Sequence, residues 1–536
     1  MRVNLTKLPA EVQEMVISNL GLAEIMVVKK VSRHFRNLIQ TSEGLNYRVE
    51  QLCMGSVDQP PLAKLPFKKR TEIQRRWREM WKTLRRQGTE ERTVRAVFGQ
   101  NCVSGSLYAD RTATDTGIHD APSNALRFVR IPSGKRYVQF AEWEVRDLPS
   151  FENFACDYDQ DLLVLLECFE DTCTAQLCFR TCSTGEAHPL AKSSVLSGIN
   201  VSQSAHWDMT DVKICAELVS INYFDSGENY FWVWNWKQGR LLFHFGDEHE
   251  DDVRMRGFAF IDHRRLIIAT AGYSKYCYVM VFDCYDIPPG TVTTTATETM
   301  RYAAAIFRLP RARDSGHFEA FINLDCRPSL QAEHLAQDGS LFRWAPSTAV
   351  AVVTMDGDIE DFPESVVAIP TRIILEHLEA QPARTYPSPC KPVRWRSWGA
   401  GTTVLTGRTA VACGSRVATT LAREHDARIV IYDFESAAVL AREPEPDLED
   451  VRLDPAYLEH RRALAQRATA LDPDKWVDRT PGRAPFRTIW TDFTVRGSQS
   501  FELAEDGLVI MPERRWWEVP VAALSEAQTR LTLYTV

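Results

Sequence analysis

From residue 8 to about residue 87, apolar side chains recur every three to four positions; from Val97 onward they alternate or run in short blocks. Val12, Val16 and Leu20, with Ile17 on the same broad face, predict a first helix. Pro9 falls in its first turn, where a missing N–H does no harm, Glu11 favours a helix start, and Gly21 stops it. A second helix is predicted from about Ala23 to Gln40, with the stripe Ile25, Val28, Val31, Phe35, Leu38 and Ile39, ending at Thr41-Ser-Glu-Gly44. A third, about Lys68 to Gln87, sets Ile73, Trp77, Met80, Trp81 and Leu84 on one side and basic residues on the other. Beyond Val97, runs rich in Trp, Phe, Tyr, Val and Ile are separated by Gly, Asp, Asn, Ser and Pro, which predicts many short antiparallel strands. One stretch departs from this: a polar helix between Asp454-Pro455 and Asp472-Pro473, carrying Leu458, Leu464 and Leu471, within a surface insertion at about 443–485.

The strand region repeats. Phe231-Trp-Val-Trp-Asn-Trp-Lys-Gln-Gly-Arg-Leu-Leu242 and Arg428-Ile-Val-Ile-Tyr-Asp-Phe-Glu-Ser-Ala-Ala-Val-Leu440 share a strand, an aromatic, Asn or Asp, and a polar turn. Tyr278–Tyr285 matches their first half, and Gln176–Gly185 is a weaker copy. Aligned on the turn, the copies fall at Thr181, Asn235, Asp283 and Asp433, spaced 54, 48 and 150 residues, the last close to three times fifty. Asn and Asp suit that position because they bond the turn's own N–H groups. A period near fifty built of strands predicts propeller blades, about seven over residues 95–536. An irregular array of β-sandwiches is the alternative this pattern leaves open. The predicted fold class is thus multidomain: a small all-α unit at 5–45, a helical basic linker at 46–94 and a large all-β, propeller-like unit.

Composition narrows the function. The chain has 536 residues, 63 Lys+Arg against 71 Asp+Glu, and a net charge of −8, which argues against a general nucleic-acid binder. No window approaches the roughly 18 apolar residues of a membrane span, so no membrane is expected as a partner. The N-terminus, Met-Arg-Val-Asn-Leu-Thr-Lys, lacks the apolar core of a secretory signal. Thirteen cysteines, an odd number, suit a reducing compartment, so a cytoplasmic or nuclear location is expected.

Leu8-Pro9, Glu11-Val12, Glu24-Ile25 and Val31-Ser-Arg-His-Phe-Arg36 together resemble the F-box. The resemblance covers about 32 residues. It departs in having Ile25 where Leu is commoner after the acidic residue, and Val27-Val28 where Leu is usual. It implies docking onto a Skp1-type adaptor and, through it, a cullin–RING ubiquitin ligase, with the C-terminal unit recruiting a protein substrate that the sequence does not identify. The adaptor-binding residues it implies are Leu8, Pro9, Val12, Val16, Ile17, Leu20, Ile25, Val31 and Phe35. Of these, Leu8, Pro9, Val12, Val16 and Ile25 are the expected contacts, and Val31 and Phe35 are expected to hold the helices together. A helical unit this small with so much aliphatic surface calls for a polypeptide partner on general grounds.

Candidate chemistry is sparse. Cys168, Cys173, Cys178 and Cys182 are evenly spaced across a strand–turn–strand segment, unlike the paired ligands of structural zinc, and His244-Phe-Gly-Asp-Glu-His249-Glu-Asp-Asp252 reads as a solvated acidic loop. No metal and no cofactor is expected. No nucleophile elbow, phosphate loop, dinucleotide glycine triplet or metalloprotease helix is present. Residues 68–87 read as a linker helix, with phosphate binding by Arg75, Arg76 and Arg86 as the competing reading. The expected function is therefore a non-catalytic receptor that recruits substrates to a ubiquitin ligase. An adaptor-bound scaffold without ubiquitin transfer and a propeller-based hydrolase are the alternatives.

Overall fold

The computed structural model describes residues 5–58, 64–82, 90–95, 101–112, 124–132, 139–169, 172–200, 211–225, 228–247, 253–272, 277–310, 318–323, 342–357, 365–381, 384–406, 410–422, 426–434, 487–496, 500–504, 507–511 and 530–535. The predicted insertion at 443–485 lies outside these residues.

Four helices open the chain: α1 (Ala10–Ser18), α2 (Leu22–Val31), α3 (Arg33–Thr41) and α4 (Glu43–Met54). The single second helix expected from the stripe is in fact two. Ser32 is extended, with φ −148°, and its Oγ accepts from Phe35 N at 3.2 Å, so it caps α3 instead of continuing α2. Ser42 caps α4 in the same way through Leu45 N. Pro9 stands just outside α1, where its carbonyl accepts from the Val12 and Gln13 N–H groups. Ile17, Ile25, Phe35, Ile39 and Leu45 form the core of this unit. The basic helix is α5 (Phe67–Lys82).

Seven four-stranded antiparallel blades then follow one another, their strands here lettered A to D, blades 4 and 5 being joined by a pairing of Gly272 with Phe318. Blade 1 is Asn101–Ser104, Leu107–Arg111, Leu126–Arg130 and Ala141–Val145. Blade 2 is Asn153–Asp157, Leu162–Phe169, Thr174–Thr181 and Val195–Asn200. Blade 3 is Asp211–Cys215, Leu218–Asp225, Glu228–Asn235 and Arg240–Asp247, with Thr291–Thr293 added in parallel at its edge. Blade 4 is Val253–Phe260, Arg265–Gly272, Tyr278–Asp283 and Ala305–Arg308. Blade 5 is Phe318–Asn323, Val350–Gly357, Ser365–Pro370 and Thr403–Thr406. Blade 6 is Ala410–Cys413, Arg416–Ala422, Asp426–Asp433 and Arg487–Arg496. Blade 7 takes A, B and C from Ser500–Ala504, Gly507–Met511 and Arg530–Thr535.

The fourth strand of blade 7 is Glu90–Arg95, paired antiparallel with Arg530–Thr535. The blade 7 A strand lies beside that of blade 1, which closes a seven-bladed propeller. The ring is thus fastened by a strand from before the first blade, and the predicted boundary at 95 falls at that strand's end.

The four repeat positions all prove to be ends of C strands, in blades 2, 3, 4 and 6. Asn235 Oδ1 accepts from Gln238 N at 3.0 Å and Asp283 Oδ1 from Tyr285 N at 3.2 Å, the turn role expected of them. The 150-residue step spans two blades and not three. Blade 5 lengthens it with helix α6 (Thr371–Glu379), which the sequence reading missed, and its C strand ends at Pro370, which leads into that helix instead of an Asn or Asp turn. In blade 3 the turn between the A and B strands passes through Ala216, whose φ is +53°.

Blade strands look apolar at nearly every position because both faces are covered. In the blade 3 C strand, Phe231 and Val233 enter the core shared with blade 4, while Trp232 and Trp234 enter the one shared with blade 2.

Candidate functional site

On the outside of the helical unit, apolar side chains stand in solvent. Pro9 and Val16 are exposed on the α1 side, and α2 exposes Val27 at 59% and Val31 at 70%. Leu8 and Val12 are half-buried. The entry is held by Gln13, whose Nε2 donates to the Leu8 carbonyl at 2.6 Å and whose Oε1 bonds His34 Nε2 at 2.7 Å. Arg48 Nε, from α4, donates to the Ser18 carbonyl at the end of α1. The backbone that presents Leu8 and Pro9 is therefore fixed from inside.

The nine residues singled out from sequence divide into two sets. Ile17, Ile25 and Phe35 belong to the unit's own core, with Leu20 packed against it; Leu8, Pro9, Val12, Val16 and Val31 do not. For Ile25 and Val31 the burial is the reverse of that expected. Ile25 is fully buried, whereas Val31 faces solvent because the break at Ser32 turns α3 away from the line of α2. Met15 and Val27 are exposed apolar residues that the reading missed. Val27 and Val31, four apart on one helix, were the available signal.

The unit is bolted to the propeller through α4 and α5. Gly55 ends α4 in the left-handed region at φ +60°, and its carbonyl accepts from Ala345 N at 2.7 Å and Thr348 Oγ1 at 2.9 Å. Ser56–Asp58 then pairs antiparallel with Phe342–Trp344. Asp58 gathers Tyr47 Oη, Gln51 Nε2 at 2.8 Å and Arg70 NH1 at 3.3 Å. Burial, reinforced by the bond to Asp58, pushes the Tyr47 phenol far up, so it remains a donor. Trp77 and Trp81 of α5 join the core between blades 6 and 7. There Arg416 is 2% exposed, with its guanidinium carbon 4.8, 4.4 and 4.8 Å from the ring centres of Trp77, Trp81 and Trp344. Three indole faces around one cation lock linker helix, strand and blade together.

The arginines of the α5 surface that could read a phosphate are engaged. Arg75 and Arg78 hold Glu50 at 2.6 and 3.1 Å, and Arg76 pairs with Glu72. These pairs, with the Trp face turned into the propeller, fit the linker reading rather than phosphate binding by Arg75 and Arg76; Arg86 lies outside the described residues.

This joint fixes direction. It engages the segment before the blade 5 B strand and the A–B turn of blade 6 at Gly414-Ser415, so the helices sit at the end of the ring formed by A–B and C–D turns. In antiparallel blades the B–C turns and the D–A connections lie at the opposite end.

Elsewhere the chemistry is muted. A cleft of about 150 Å³ on blade 4 is lined by Arg265, Asp283, Asp286, Glu379, Arg384 and Tyr386. Most of its charges are already paired: Arg264 with Asp283 and Asp286, Arg265 with Asp262, and Arg384 with the carbonyls of Ala303 and Ser388. Among the described residues no three His, Cys, Asp or Glu side chains converge as metal ligands. Burial pushes the Cys178 thiol up to about 11 and His244 down to about 4, the latter stacked on Trp232 at 4.6 Å. The rest of the acidic loop after Asp247, with His249, lies outside the described residues.

The F-box domain family model matches residues 5–46. No curated protein matches the chain. Among solved structures, the WD40 domain of Toxoplasma gondii coronin is 11% identical over 65% of this chain and 73% of its own, with a TM-score of 0.32. The Dos1 propeller is 8% identical over 83% of this chain and 94% of its own, with a TM-score of 0.30. The propeller assignment rests on the strand order and ring closure above.

Proposed function

From the premise that the chain is an F-box protein with a C-terminal seven-bladed propeller, we propose that it is a substrate receptor of a cullin–RING ubiquitin ligase. It docks through its N-terminal helices onto a Skp1-type adaptor and holds a protein target on the propeller, working in the cytoplasm or nucleus. Its contribution is proximity: a target held beside a ligase-bound ubiquitin conjugate meets it at high effective concentration, and no bond is made or broken by this chain.

The observation that supports this reading is the set of exposed apolar side chains, Pro9 and Val16 on the α1 side and Val27 and Val31 on α2, which stand in solvent outside the unit's own core. Exposed apolar side chains gathered on one small unit are an interaction surface in a folded protein. The joint on the A–B and C–D end adds to it: a target carried at the B–C and D–A end is held apart from the adaptor.

Contacts move from the expected Ile25 to Val31 and Val27, beside Leu8, Pro9, Val12 and Val16. Covering such a side chain is worth about 1.5–3 kcal/mol, hence roughly tenfold or more in affinity. Full-length Val31→Glu and Val16→Arg, folded as judged by circular dichroism, are expected to lose co-purification with a Skp1-type adaptor that the wild type retains. Equal recovery of all three would defeat the assignment.

A further inference from the structure

One group of reactive side chains stays outside the proposed function. Cys102 lies in the A strand of blade 1 and Cys156 in the A strand of blade 2, and their Sγ atoms are 3.7 Å apart. The two neighbouring A strands are tied at this level by Ser104, whose Oγ donates to the Cys156 carbonyl at 2.6 Å. Cys156 is buried at 3% exposure, whereas Cys102 is half-buried. Cys178 and Cys182 share the same inter-blade core but are engaged within blade 2, with Glu167 and with the Leu162 carbonyl. Burial holds both of them as thiols, and a thiol is a poor nucleophile.

We propose that Cys102 and Cys156 are a modification site: a thiol pair that peroxide converts to a disulfide joining blades 1 and 2. The Cys102 thiolate attacks one oxygen of hydrogen peroxide, giving a sulfenic acid and, after proton uptake by the departing hydroxide, water. The Cys156 sulfur then displaces the sulfenic hydroxyl as a second water. Two thiols lose two electrons and two protons, and one peroxide becomes two waters. The sulfurs are already in van der Waals contact, and a disulfide spans about 2.0 Å, so the two atoms that must bond start side by side. This inference stands independently of the ligase reading.

The test uses the full chain: reduced with dithiothreitol, exposed to hydrogen peroxide, alkylated and mapped by mass spectrometry. The expected result is that most of the Cys102 peptide shifts to a species linked to the Cys156 peptide. That species should disappear on renewed reduction and fail to dominate when the chain is unfolded in urea before oxidation. In Cys156→Ser, Cys102 should stop at a sulfenic acid that dimedone traps. Absence of the linked peptide from oxidised wild type, linkage of Cys102 to Cys182 instead, or equal yield from the unfolded chain would each overturn the proposal. The wild-type map decides alone should the variant not fold.

Discussion

Five side chains, Ile17, Ile25, Phe35, Ile39 and Leu45, make up the core of the N-terminal unit, while the single junction between blades 3 and 4 buries eighteen apolar residues among those described. The helical unit also wears apolar residues outside, and the blades turn nearly all of theirs inward. A unit with so little interior is marginal by itself. Here it gains support from Tyr47 and Met54 of α4, which enter the core between blades 6 and 7. The same helix contributes Leu45 to the small core, so one element serves both regions and transmits orientation from one to the other. The outward residues are what remains for a partner.

That contrast can be broken most severely at the joint. Trp77→Ala removes an indole from the Arg416 cage and from the blade 6–7 core, and is expected to cost about 3–5 kcal/mol in guanidinium unfolding. Proteolysis between the helices and the ring should become faster. Loss of stability no larger than for a surface change would mean the joint is not a packed interface. Next comes the pair Ile25→Ala and Val31→Glu. The first should destabilise the helical unit by about 2–5 kcal/mol, seen as faster hydrogen exchange over 10–54, and the second by no more than about 0.5 kcal/mol. Comparable losses would erase the distinction between core and docking surface.

Gly414→Ala probes the joint more gently. Gly414 has φ +57°, and a Cβ there would sit 2.4 Å from the Trp344 ring, so a loss of about 1 kcal/mol or more is expected. A separate effect concerns pH and the propeller alone. Burial lowers His244 to about 4, against an ordinary value near 6.5, so the unfolded chain binds a proton that the fold refuses. Stability should fall as pH drops from about 6.5 to 4 and level off below. His244→Gln should show a shallower decline over that window, and identical slopes would remove His244 as a cause.

Much of the fold is legible in the chain. Period-3.6 helices followed by period-2 strands separate the two regions, and Asn235 and Asp283 mark C-strand ends because the turn after each needs a side chain that bonds its own backbone; Asp433 also ends a C strand. Blade 5 hid because α6 and Pro370 replace that turn. The docking residues were half legible. Period identified the apolar set, yet one helix with a continuous stripe and two helices broken at Ser32 have nearly the same periodicity while pointing Val31 in different directions. The missed partners of Arg416 all precede it by more than seventy residues, and no local spacing could bring Trp77, Trp81 and Trp344 to it.

Local interactions, which depend on neighbours in the chain, set the helix and strand content, the helix starts at Ser32 and Ser42, and the repeat length of a blade. Which side of each helix meets water, how Glu90–Arg95 fastens the ring, and on which end the helices stand were decided only in three dimensions. Burial is a property of surfaces brought together, and those surfaces come from residues whose separation in sequence carries no record of their contact.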